Sequence, residues 1–211
     1  MDRYLAEKID TLPDERVFDE TDPLVRFRDV YVPLQVQPVT EAGEVNREAD
    51  PLCIHQWTLG ILEQWDESQP RKVLFVEGDA GRGKSVFCRM FPQVARQRFG
   101  DTWIPLVIRL RNLRMLANNL TETLEDCPEL EQWNFVRSDN GWLADRNVRF
   151  LIVLDGFDEL LLEGRTTGGL KEFLQQVAQF QEHSHHQCIV TGRPLALQGV
   201  ERLILPRSKG D

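Results

Sequence analysis

The chain has 211 residues, 41% of them hydrophobic and 28% charged, with 14 glycines and 11 prolines, a balance that excludes disordered, collagen-like and disulfide-stapled classes. The net charge of −9 sits almost wholly in the first third: residues 1–70 hold 16 acidic and 6 basic side chains, residues 71–211 hold 18 and 19. Sequence-independent nucleic-acid binding needs clustered Lys and Arg, so the charge pattern gives a nucleic-acid partner no support without excluding one. No apolar run reaches eighteen residues and the N-terminus MDRYLAEKID is charged, so neither a membrane span nor a secretory leader is expected, and the default address is the cytoplasm.

Residues 1–70 read as an acidic helical and extended segment packing on a core made by residues 71–211. A short helix is expected from Arg3 to Leu12, then the extended stretch FRDVYVPLQVQP, a polar connector EAGEVNREAD, and a helix from Pro51 to Trp65, where Ile54, Trp57, Ile61, Leu62 and Trp65 recur at helical spacing. From residue 72 the pattern changes. Five short β-rich runs, 72–78, 103–110, 148–155, 187–192 and 201–206, alternate with helix-compatible segments at 84–99, 117–136 and 168–182. Apolarity is continuous in VLFV and LIVL, which indicates strands buried on both faces of a parallel sheet. The expected class is therefore α/β: a three-layer fold whose five-stranded parallel sheet is flanked by helices, preceded by the N-terminal segment. Pro92 predicts a kink or an early end in the helix after residue 84.

Cys53, Cys88, Cys127 and Cys188 form no CxxC pair and read as reduced core thiols. His183, His185 and His186 lie in the polar stretch HSHHQ, which reads as a solvated helix end rather than a zinc site.

The strongest motif follows the first strand of the core. Gly78-Asp79-Ala80-Gly81-Arg82-Gly83-Lys84-Ser85 matches GxxxxGK[ST], with Val86 continuing into the helix. Glycines let successive backbone N–H groups turn inward around a phosphate, and the following helix presents its electropositive end to the same anion. Lys84 adds a point charge toward the β and γ phosphates, and the Ser85 hydroxyl is placed to ligate Mg²⁺. A second motif, FLIVLDGFDE, delivers Asp155 to the C-terminal end of a buried strand, where it would complete the Mg²⁺ shell. In many P-loop ATPases a glutamate follows this aspartate and orients the attacking water, but here that position is Gly156. The role then passes to Asp158 or Glu159.

GDAGRGKS, FLIVLDGFDEL and the strand end Thr191-Gly192-Arg193-Pro194 together resemble the NACHT family of STAND-type signalling NTPases, across roughly residues 25–206. The resemblance implies a three-layer P-loop NTPase core that binds ATP or ADP with Mg²⁺, hydrolyses slowly, and oligomerises in its ATP state. It implies innate immune or antiphage signalling as the context. It also implies that Arg193 lies near the terminal phosphate and that Val32 and Pro33 contact the base. Gly192 stands where the family's TSRP segment has serine. The family's helical subdomain, winged helix and sensing repeats lie outside the matched stretch. Two other readings stay open: a small-molecule kinase, for which Arg109, Arg111 and Arg114 would be the lid cluster, and a nucleotide-bound scaffold with negligible turnover.

Overall fold

A computed structural model describes residues 1–18, 24–39, 44–66, 72–133, 135, 141–162 and 167–193. Short helical turns α1 (Asp2–Tyr4) and α2 (Phe27–Val30) open the chain. A two-stranded antiparallel ribbon follows, pairing β1 (Gln35–Val36) with β2 (Leu52–Cys53), and α3 (Ile54–Glu63) leaves directly from β2. The core consists of β3 (Leu74–Glu77), α4 (Lys84–Phe99), β4 (Trp103–Arg109), α5 (Leu120–Glu125), β5 (Arg149–Asp155), α6 (Glu159–Leu162), α7 (Thr167–His183) and β6 (Gln187–Gly192).

Among the described residues the main sheet has four strands, all parallel, in the order β3-β6-β5-β4, rather than the five expected. The run at 201–206, read as the fifth, lies outside the described residues.

The uninterrupted apolarity of β5 has a direct structural cause. Leu151 and Val153 point to one face, where they meet Phe87, Phe91 and Ala95 of α4 and Ile54 and Leu62 of α3. Phe150, Ile152 and Leu154 point to the other, against Leu170, Phe173, Leu174 and Val177 of α7 and Leu120 and Leu124 of α5. All five of these β5 residues are fully buried, so period-2 alternation disappears because neither face meets water.

The first residues of the chain belong to this second face. Tyr4, Leu5, Ile9 and Leu12 are buried in the same cluster, and the Tyr4 ring packs edge-on against Trp133, Phe135 and Trp142. Residues Leu5–Ile9 form a π-helical turn and Leu12–Asp14 a 3₁₀ turn, where sequence spacing predicted one plain helix. The segment's acidity is partly directed at the core. Asp10 pairs with Arg96, while Glu15 accepts from Arg89 at 3.0 Å and from Arg109 at 2.9 and 3.0 Å.

Several elements differ from the sequence reading. Helix α4 runs unbroken from Lys84 to Phe99 with Pro92 inside it, so the early end expected at Pro92 does not occur. The lost N–H bond is outweighed by the apolar face of Phe87, Phe91, Pro92 and Ala95 buried on the sheet. The long helix expected over 117–136 is reduced to Leu120–Glu125, N-capped by Asn119, whose side chain accepts from the Glu122 N–H. Beyond it Cys127 and Leu130 continue as buried turn residues. The stretch FRDVYVPLQVQP begins with a helical turn before it extends.

HSHHQ begins as the expected solvated helix end, with His183 exposed as the last residue of α7, but turns inward at His186. His186 is 1% exposed, with Nδ1 accepting from the Phe150 N–H at 3.1 Å, so its proton sits on Nε2 and faces the Leu143 carbonyl at 3.2 Å. His185 Nε2 lies 2.8 Å from the Val148 carbonyl. Among the described residues no three His, Cys, Asp or Glu side chains gather as a metal site, and no helix is long and apolar enough to cross a membrane.

Candidate functional site

The loop between β3 and α4 lies at the C-terminal end of the sheet, where helix N-termini and strand ends converge. Gly81 and Gly83 have φ of +75° and +81°, conformations costly for any residue with a Cβ. Gly83 is also crowded, because a Cβ there would meet Leu34 Cδ2 at 3.1 Å. The residue preceding β1 thus packs directly on the loop. Asp79, Ala80, Gly81 and Arg82 are exposed along the rim, while Gly78, Gly83, Lys84, Ser85 and Val86 are half-buried. The Lys84 ammonium folds over the loop and donates to the carbonyls of Gly78 at 2.6 Å and Asp79 at 3.0 Å. The Gly78 N–H in turn donates to the Gly192 carbonyl at 3.2 Å, tying the loop to the end of β6.

Ser85 and Asp155 are 70 residues apart in sequence, and Ser85 Oγ lies 3.0 Å from Asp155 Oδ1. A hydroxyl has one proton and two lone pairs, so Ser85 can donate to the carboxylate and still offer a lone pair to a cation. A hydroxyl and a carboxylate beside a phosphate loop form the hard-oxygen, incomplete donor set that suits Mg²⁺, an ion that keeps water and phosphate oxygens in its remaining positions.

The turn after Asp155 separates the two acidic residues that sequence left paired. Gly156 has φ of +83°, and a Cβ there would sit 3.0 Å from Glu159 Cδ and 3.2 Å from Glu159 Oε2. The Glu159 carboxyl therefore curls back over Gly156, into the space a side chain directly after Asp155 would begin to fill. Burial raises its pKa above the ordinary glutamate value; nearby Arg111 opposes that rise, and Asp155 and Asp158 add to it. Arg111 Nε stands 4.0 Å away. Asp158 has a different environment: largely buried, it accepts from Arg193 Nε at 2.7 Å.

Arg193 is half-exposed at the end of β6, and Pro194 lies outside the described residues. The glycine before Arg193 has a packing reason. A Cβ on Gly192 would meet Phe75 Cζ at 3.1 Å and Phe157 Cβ at 3.3 Å, so a serine there would crowd both aromatic side chains.

Sequence reasoning passed over two features of this end of the sheet. Thr191, quoted only as a neighbour of Arg193, bonds Asp155 from within the core, donating to Oδ1 at 2.8 Å. The Tyr31 hydroxyl lies 2.6 Å from His55 Nε2, and the His55 ring packs on Phe87 and Phe91 of α4. Burial lowers the His55 pKa and raises that of Tyr31, so both groups favour their neutral forms, and the imidazole tautomer sets which of the two donates. No motif announces this pair, since neither residue has a fixed spacing from the loop. Of the two base-contact candidates, Val32 is 75% exposed, and it is Leu34 that reaches Gly83.

No family model matches the chain, and no curated protein matches it significantly. Among solved structures it is similar to the ORC1 protein of Aeropyrum pernix in complex with DNA, at 15% identity and a TM-score of 0.43, with 74% of this chain and 42% of that one covered. The chain thus spans less than half the length of that protein. What the chain itself presents is an α/β architecture in which a four-stranded parallel sheet flanked by helices carries a phosphate-loop sequence at its C-terminal end.

Proposed function

We propose that the chain is an ATP-binding, Mg²⁺-dependent regulatory NTPase module of the NACHT type, hydrolysing slowly, with nucleotide state setting conformation and self-association. The observation that carries this reading is the 3.0 Å approach of Ser85 Oγ to Asp155 Oδ1 beneath a glycine loop capped by Lys84. In this reading the Lys84 ammonium exchanges the Gly78 and Asp79 carbonyls for β- and γ-phosphate oxygens, and the loop N–H groups hold the phosphate chain. Ser85 and Asp155 would hold Mg²⁺, which when bound neutralises charge on the phosphates.

Glu159 is the general base of this reading. Its carboxyl occupies the space next to Asp155, and burial raises its pKa, which makes the carboxylate a stronger proton acceptor. Asp158 holds Arg193 until a terminal phosphate competes for the guanidinium. Self-association and a defence-signalling context rest on the family resemblance alone. Against the kinase reading, the three candidate lid arginines each face a carboxylate, Arg109 with Glu15, Arg111 with Glu159 and Arg114 with Glu131.

Thermal-shift titration with ATP and ADP, with and without Mg²⁺, tests the reading, followed by phosphate release on the same sample. A Mg²⁺-dependent rise in melting temperature with slow turnover is expected. No shift with either nucleotide would overturn it, and binding without any turnover would leave the scaffold reading in its place.

A further inference from the structure

Thr191 lies on β6, where its neighbours Cys188, Ile189 and Val190 are buried and apolar or thiol-bearing. A valine would fill the same volume in such a strand without a polar atom. A buried hydroxyl costs free energy unless its bonds are made. Here all three are in use. Thr191 Oγ1 donates to Asp155 Oδ1 at 2.8 Å, accepts from the Gly156 N–H at 3.1 Å, and has the Cys88 thiol as a weak third partner at 3.9 Å. The Gly156 N–H can only donate, which forces the threonine proton toward the carboxylate. The Thr191 carbonyl also accepts from the Phe157 N–H at 2.7 Å, so both residues after Asp155 are fastened to this single position.

We propose that Thr191 is the positioning residue of the cation site: its hydroxyl fixes the rotamer of Asp155 and the turn behind it, setting the carboxylate for Mg²⁺ before the ion arrives. The inference rests on the nucleotide reading above and adds to it a residue that touches neither nucleotide nor metal. Ser85 and Thr191 address the same oxygen from opposite sides, one from α4 and one from β6. When Ser85 turns toward a cation, Thr191 remains the hydrogen bond that keeps Asp155 in place. The same strand ends at Gly192, one residue before Arg193, so the hydroxyl that sets the metal carboxylate lies two residues before the arginine.

The test compares Thr191→Val and Thr191→Ser with the wild-type 211-residue chain, measuring ATP and ADP affinity by calorimetry in EDTA and across a Mg²⁺ series. Loss of the hydroxyl is expected to raise the Mg²⁺ concentration for half-maximal gain in ATP affinity about tenfold, while affinity in EDTA stays within about twofold. Thr191→Ser is expected to restore the wild-type Mg²⁺ midpoint. Should Thr191→Val not fold, Thr191→Ala against Thr191→Ser makes the same comparison, because both lack the methyl and only one keeps the hydroxyl. An unchanged midpoint in the hydroxyl-free variants, or an equal fall with and without Mg²⁺, overturns the proposal while wild-type binding leaves the nucleotide reading standing. Wild-type protein that binds neither nucleotide overturns both.

Discussion

The two ends of the β5–β6 pair hold buried polar groups for opposite purposes. At the N-terminal end, His186 is closed on the Phe150 N–H and the Leu143 carbonyl. Gln181 closes the same corner by donating to the His186 carbonyl at 2.6 Å and accepting from the Cys188 N–H at 2.5 Å. Every one of these partners is backbone, fixed by the fold and unable to turn away. At the C-terminal end, Asp155 meets two hydroxyls, Asp158 meets a half-exposed guanidinium, and Lys84 rests on loop carbonyls. Thr191 apart, which stays on Asp155 from within the core, those partners are side chains with rotamers, or a loop at the surface, and they can be exchanged for a ligand. A buried polar group bonded to backbone belongs to stability, whereas one bonded to mobile charge near the surface is available for chemistry.

Substitutions at the two ends should therefore separate binding from stability. The largest effect belongs to Lys84→Ala, which is expected to weaken ATP binding by about 2–5 kcal/mol, the range for truncating one side of a close charged pair, with little change in the melting of the nucleotide-free protein. Normal ATP binding by this variant would remove the phosphate site. Next comes Glu159→Gln, expected to lower turnover by about 10²–10⁴-fold with nucleotide affinity retained; full activity in a phosphate-release assay would move the base elsewhere. This variant carries a pH signature as well. The pKa of Glu159 is higher in the fold than unfolded, so ionising it costs stability as pH rises through that value. Glu159→Gln should thus melt no lower than wild type at neutral pH.

At the opposite end, Gln181→Ala removes two buried hydrogen bonds, to the His186 carbonyl and from the Cys188 N–H. It is expected to cost about 1–3 kcal/mol in denaturant unfolding while the Mg²⁺ dependence of nucleotide binding stays unchanged. A shift in that dependence would erase the distinction between the two ends. The smallest effect is expected at His55, whose pKa is lower in the fold than unfolded. Its contribution is complete above the ordinary histidine value of 6.5 and is lost as pH falls below it through the depressed folded value. His55→Gln should flatten the melting-temperature profile across that window, and an unaltered profile would show that the ring titrates freely.

What could be read from sequence followed the range of the physics behind it. GxxxxGK[ST] is a local backbone pattern whose glycines and Lys84 stand next to one another, so spacing alone makes it legible. The strand bearing Asp155 was visible because burial on both faces leaves an unbroken apolar run. The roles of Asp158 and Glu159 could not be divided, since the division depends on the φ of +83° at Gly156 and on Arg193 arriving from a strand over thirty residues later. Within HSHHQ, His186 misled for a similar reason. Its polarity suggested water, but the partners of His186 are backbone groups of residues 143 and 150, which no local window contains. Thr191 was hidden in plain view, because one threonine at a strand end has no pattern until Asp155 is brought beside it.

Glu15 touches both Arg89 and Arg109, and Arg89 also donates to the Ser85 carbonyl at 2.8 Å while its guanidinium lies 4.7 Å from the centre of the Phe27 ring. Mechanically this is a short linkage. A tug on residue 15 reaches the first turn of α4 through two hydrogen bonds, without passing through the sheet. Any load on the opening segment of the chain would therefore divide at Glu15, reaching Ser85 through Arg89 and the end of β4 through Arg109, and high salt, which screens the more exposed pairs most, would loosen that linkage while leaving the apolar grip of Tyr4, Leu5 and Ile9 in place.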